Sequence, residues 1–156
     1  MTSFKEWVRQ KTEESLSSER AQLVNDWVSA CLWLREQIIG WLTEEGEGRI
    51  AFRDVAIERS ERRLGTYPMG KLLIGVGDET VELVPMGRNV FGSFGLPGGT
   101  EHRGAGRVDL TNGTRKYMLY RTVQDGEDVW YVVDEQSQTS LLTKERFLEI
   151  VMDLMS

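Results

Sequence analysis

His102 is the chain's only histidine, and it stands in a glycine-rich stretch, GSFGLPGGTEHRGAG, at 92–106. Histidine titrates near neutrality without tuning, so acid–base chemistry would begin here. A hydrolytic triad would also need a serine or cysteine nucleophile and an orienting carboxylate. Ser93 and Glu101 are near in sequence, but neither sits in a nucleophile elbow. The single cysteine, Cys31, falls on an apolar helical face and reads as a small core residue. One histidine and one cysteine do not supply a metal site, and Asp125-Gly126-Glu127-Asp128 lacks calcium-loop spacing. No metal or cofactor is expected, and the sequence favours a protein without catalytic machinery.

The glycines invite phosphate-binding readings that their context removes. A Walker-type loop needs a lysine followed by serine or threonine, because the lysine must reach the outer phosphates. Gly98-Gly99-Thr100 has neither that lysine nor that order. A dinucleotide fingerprint needs a helix directly after the glycines, whereas Arg107–Leu110 reads as a strand. Leu96-Pro97-Gly98 fits a turn with proline preset and glycine at the positive-φ position. The stretch therefore reads as a connection between strands, with a ligand-gating or partner-binding loop as the alternative.

Charge is distributed unevenly. The net −6 divides into −4 over residues 1–48, +4 over 49–121 and −6 over 122–156. Most bases of the middle segment are arginines, which suit bidentate contact with carboxylates or phosphates. The simpler reading is a basic sheet flanked by acidic ends of its own chain. The sharper one is a small anionic-ligand binder or an enzyme, its site where the mouth of the sheet meets the 92–106 loop, with Arg88, His102, Arg103 and Arg107 as the contacts. The run from Glu58 to Arg63, with Arg49 and Arg53, lacks a known nucleic-acid module, so nucleic acid is not the expected partner.

These groups must be positioned by elements that the periodicity outlines. Ser3-Phe4-Lys5-Glu6 fits a capping box at a helix start. Leu23, Trp27, Cys31, Leu34, Ile38 and Trp41 recur at steps of three and four, and Gly46 and Gly48 stop the helix. Either one long helix or two occupy 1–46, and a break or bend near Ser17-Ser18 is expected, because an unbroken helix would overhang so small a globule. Trp33 falls off the core face, and Phe4, Trp7 and Val8 need burial against the sheet or a second copy; these four are the candidate partner-binding residues, since tryptophan is enriched at interfaces.

Beyond residue 49 the period becomes two. A strand with an irregularity at Arg53-Asp54 comes first. Hairpins turning at Gly77-Asp78, Thr111-Asn112-Gly113-Thr114 and Asp125-Gly126 follow. In the second, Val108 and Leu110 share a face with Tyr117 and Leu119, and Asp109 and Lys116 are expected as an exposed opposed pair. Thr143 caps a final helix whose Phe147, Ile150, Val151 and Leu154 form one apolar face.

The expected fold is α+β and one domain over 1–156. It combines a helical region at 1–46, an antiparallel meander of five to six strands at 49–134 and a short helix at 143–155 packed on the core. The order resembles that of cystatin-like rolls, in which a sheet wraps a helix; the likeness is architectural and implies no function. Composition is globular, with 40% hydrophobic and 28% charged residues. No membrane association is expected, and charges fill the position of a signal peptide's apolar region, so the expected compartment is the cytoplasm. The expected function is macromolecular binding, as an adaptor or regulatory protein whose partner is another protein or itself, self-associating through the N-terminal helices.

Overall fold

A computed structural model of the chain describes residues 2–89, 94–95, 101–102 and 105–156, with side chains at all of these but 14–17, 94–95 and 101–102. The fold is α+β. One helix, α1 (Phe4–Glu45), precedes an antiparallel sheet, and a second, α2 (Lys144–Leu154), follows it. Strands β1 (Ile50–Glu61), β2 (Gly65–Val76), β3 (Glu79–Gly87), β6 (Arg107–Thr111), β7 (Lys116–Gln124), β8 (Glu127–Val133) and β9 (Thr139–Leu141) pair in sequence order as a seven-stranded meander. The two-residue strands β4 (Phe94–Gly95) and β5 (Glu101–His102) pair only with each other, between β3 and β6. The meander is longer than the periodicity indicated because β9 adds a short final strand at the β8 edge. No helix among the described residues is long and apolar enough to cross a membrane.

The expected break near Ser17-Ser18 does not occur. Helix α1 runs 42 residues without interruption, about 63 Å at 1.5 Å per residue. Neither proline nor glycine interrupts it before Gly40, and serine alone disfavours a helix too weakly to stop one. Ser3 caps its start, the Oγ accepting from the Glu6 amide at 3.2 Å. Its second half presents Trp27, Ala30, Cys31, Leu34, Ile38 and Leu42 to the sheet. There they meet Leu72, Ile74, Val81, Leu83, Val108 and Leu119, all buried.

The hairpins turn where the turn chemistry places them. Leu72 pairs with Leu83 and Ile74 with Val81 across Gly77-Asp78. Val108 pairs with Leu119 and Leu110 with Tyr117 across Asn112-Gly113. Asp125 and Gly126 both have positive φ, as a two-residue hairpin turn requires. Three details depart from expectation. Strand β1 carries no irregularity at Arg53-Asp54, which pair in register with Leu73 and Leu72. The charge that interrupts its alternation is there to meet α1, whose Arg35 Nε donates to Asp54 Oδ1 at 2.8 Å. Strand β2 starts at Gly65, through Pro68 and Gly70, and proline is tolerated because β3 pairs only from Leu72 onward, leaving that half of β2 an edge. Asp109 opposes Met118 and is buried, not an exposed partner directly across from Lys116. Arg107 forks onto it instead, and Lys116 reaches it only diagonally at 3.8 Å.

Helix α2 closes the core. Thr143 Oγ1 accepts from the Arg146 amide at 3.1 Å, and Phe147, Ile150, Val151 and Leu154 are buried. Phe147 packs on Trp41 of α1 with ring centroids 5.9 Å apart. Lys144 reaches Glu44 and Glu45 at 2.8 and 2.7 Å, tying the two helices at their ends.

Candidate functional site

A densely connected polar group is Arg121 in β7. Alternation places it on the same face as Tyr117 and Leu119, so its guanidinium points at α1 and is buried to 3% exposure. It forks onto Asp26 of α1 at 2.9 and 3.0 Å and reaches Asp128 of β8 at 2.9 Å. Arg88, just past β3, approaches the same Asp26 at 3.6 Å. Bonding from Arg121 holds the Asp26 carboxyl below the usual carboxylate range. The backbone of Arg121 also bonds Ala105 and Gly106, at 2.6 and 2.8 Å, fastening the end of the glycine-rich stretch to β7. Gly106 has a positive φ of 149°, and a Cβ there would lie 2.2 Å from the Trp27 ring. Only glycine fits, and Trp27 in turn stacks on Trp130 at 6.3 Å. With two carboxylates around one arginine, this cluster clamps α1, β7 and β8 together.

The four residues proposed for an anion divide. Arg88 turns toward Asp26 on α1, while Arg107 is engaged bidentately by Asp109, both bonds 2.8 Å. Arg107 borders a depression of about 420 Å³ with Glu61, Asn89 and Tyr120, which Arg88 does not line. The backbone of His102 pairs with Phe94 in the β4–β5 ladder. Its side chain, all of Arg103 and the Leu96-Pro97-Gly98 turn lie outside the described residues. At the start of the loop, Glu61 accepts the amides of Arg88 and Asn89 at 3.2 and 2.8 Å and also the Tyr67 hydroxyl. Three arginines of the middle segment, Arg88, Arg115 and Arg121, thus meet carboxylates from both acidic ends of the chain, Asp26 on one side and Asp128, Glu135 and Asp153 on the other.

Between α1 and strands β1–β3 lies an apolar cavity of about 560 Å³. It exists because small residues face the helix there. Ala56 and Gly70 pair across β1 and β2, and a Cβ at Gly70 would find only the Val55 carbonyl, at 3.9 Å. Val28, Cys31, Leu32 and Met69 line it, and the Arg35–Asp54 ion pair borders it. Burial pushes the Cys31 thiol pKa up, so the thiol is an apolar wall and not a nucleophile.

Among the described side chains of α1, the largest apolar surfaces left to solvent are the partner-binding candidates with one addition. Phe4, Trp7 and Val8 are 78%, 49% and 41% exposed, and Trp33 and its neighbour Leu32 are 53% and 54% exposed. Phe4 and Trp7 stack on each other at 5.8 Å. Leu32 was legible as a helical apolar residue one position from Cys31, but its outward direction follows only from the full run of the helix. No protein-family model matches the chain, and no curated protein or solved structure matches it.

Proposed function

We propose that this is a non-catalytic protein that works by binding other macromolecules, as an adaptor or regulatory partner, and that it self-associates through α1. One observation carries the reading: the first half of α1 continues past the sheet with an aromatic cluster at its far end. Residues 4–13 and 18–22 are exposed, and the 19 positions from Phe4 to Gln22 span about 28 Å. An isolated helix of that length is marginal in water, and its sequence is not alanine-rich. A protein surface laid along it supplies what the chain's own core does not. Of the residues an anionic ligand would use, Arg88 and Arg107 are paired with carboxylates of the same chain, which favours the helix over the sheet mouth as the binding surface. A single, buried cysteine suits the reducing cytoplasm, where we place the protein.

Light scattering coupled to size exclusion tests the reading on the full chain and on a Phe4→Ser, Trp7→Ser, Val8→Ser variant. The expected result is an oligomer for the natural chain and a monomer for the variant. A monomeric natural chain removes the self-association.

A further inference from the structure

The two exposed apolar clusters of α1 lie on one side of the helix. Phe4, Ser18 and Leu32 are whole heptads apart, as are Val8, Gln22 and Ser29, and all six are exposed. Trp7 and Trp33 flank the two ends of this stripe. It faces away from Trp27, Leu34 and Ile38, which enter the core. The clusters at Phe4–Val8 and Leu32–Trp33 are separated by about 26 residues, or ~39 Å of straight helix.

We propose that the occupant of this outer face is α1 of a second copy, laid antiparallel about a two-fold axis near residue 20. The inference rests on the self-association proposed above and specifies its geometry. In that alignment Val8 meets the partner's Leu32, and Trp7 and Phe4 lie beside it, so each apolar cluster covers the other. One contact is made twice, as a two-fold interface demands. Between the clusters the stripe carries Lys11, Ser18, Gln22, Asn25 and Ser29, all exposed and polar, so the apolar contacts lie at its two ends. The sheet of each copy packs on the opposite face of its own α1.

Charge agrees with the seating. Lys11 stands on this outer face, one turn beyond Val8. In the antiparallel alignment it comes to the shallow depression beside Trp33, bordered by Asp26, Glu127 and Asp128 and by one cation, Arg121, which pairs with both aspartates. An overlap from Phe4 to Glu36 is ~50 Å long, and a contact strip as wide as a helix, ~10–12 Å, buries about 500–600 Å² on each chain. That is near the lower end of specific interfaces, which bury about 600–1,000 Å² per partner. A parallel pairing would instead stack Phe4 on Phe4 and set Lys11 of the two copies side by side.

Two variants and one cross-link test the geometry. Trp7→Glu and Trp33→Glu each change a half-exposed side chain, so the monomer keeps its fold, verified by an unchanged circular dichroism spectrum. Each is expected to convert the dimer to a monomer in sedimentation velocity. A Val8→Cys, Leu32→Cys chain is expected to form a disulfide-linked dimer on mild oxidation, whereas Val8→Cys alone is not. The two new cysteines of one chain are about 36 Å apart on a continuous helix and do not pair internally. A dimer that survives both tryptophan substitutions, or Val8→Cys cross-linking to itself, overturns the antiparallel seating while leaving self-association intact. A natural chain that is monomeric throughout overturns both.

Discussion

Arg121 shows how a single side chain organises this molecule. Its guanidinium is buried, but the carboxylates it serves are not, since Asp26 and Asp128 keep 46% and 28% of their side-chain surface. Removing one member of a buried pair costs about 3–5 kcal/mol when the remaining charge is stranded. Here the stranded carboxylates still reach water, so Arg121→Met is expected to cost about 2–3 kcal/mol, read as a lower urea midpoint with an unchanged slope. The same contact makes stability depend on acid. Asp26 titrates lower in the folded chain than in the unfolded one, so its stabilisation is complete above the unfolded pKa and is lost as pH falls through the folded value. Asp26→Asn is therefore expected to be less stable near neutrality and to lose less stability between neutral and acidic pH. The remaining acid dependence includes Asp153, also held low by Arg115. Parallel urea titrations of the two proteins check this, and identical acid limbs would contradict it. The position of Arg121 was legible in principle, because Tyr117, Leu119 and Arg121 keep step at period two. Its partners were not, because Asp26 lies 95 residues away in sequence and only the packing of α1 on the sheet brings it near.

At the scale of elements, what local chemistry determines was readable and what tertiary context determines was not. Turn residues at Gly77-Asp78, Asn112-Gly113 and Asp125-Gly126 fixed the hairpins, and the face of Phe147, Ile150, Val151 and Leu154 fixed the docking of α2. The unbroken course of α1 through Ser17-Ser18 and the start of β2 at Gly65 were hidden, since serine in a helix and proline in an edge strand are both permitted but not favoured. Helix α2 is short and depends on its buried face, so Phe147→Ala should cost about 3–5 kcal/mol by urea denaturation. A loss within a few tenths of a kcal/mol would make α2 an appendage. The first half of α1 has the opposite character, with no sheet beneath most of it. Hydrogen exchange over residues 4–13 should slow as protein concentration rises, because pairing with a second copy protects those amides. Exchange that is equally fast at all concentrations would mean that nothing covers them.

On the scale of the whole molecule, one half of a long helix builds the core and the other half extends beyond it. The sheet and α2 supply a stable base, and the outer face of α1 presents aromatic side chains on a rigid rod. The apolar cavity beside Leu32 adjoins that face, so both concave and convex apolar surfaces lie where a helix from another molecule would run. Small-angle X-ray scattering across a dilution series reads particle mass and shape together. It should give twice the 17.8 kDa chain mass and a compact particle with both helices inside, falling to single-chain mass only on strong dilution or in Trp7→Glu. A single-chain mass at every concentration, with the helix protruding as a rod, would contradict self-association through α1.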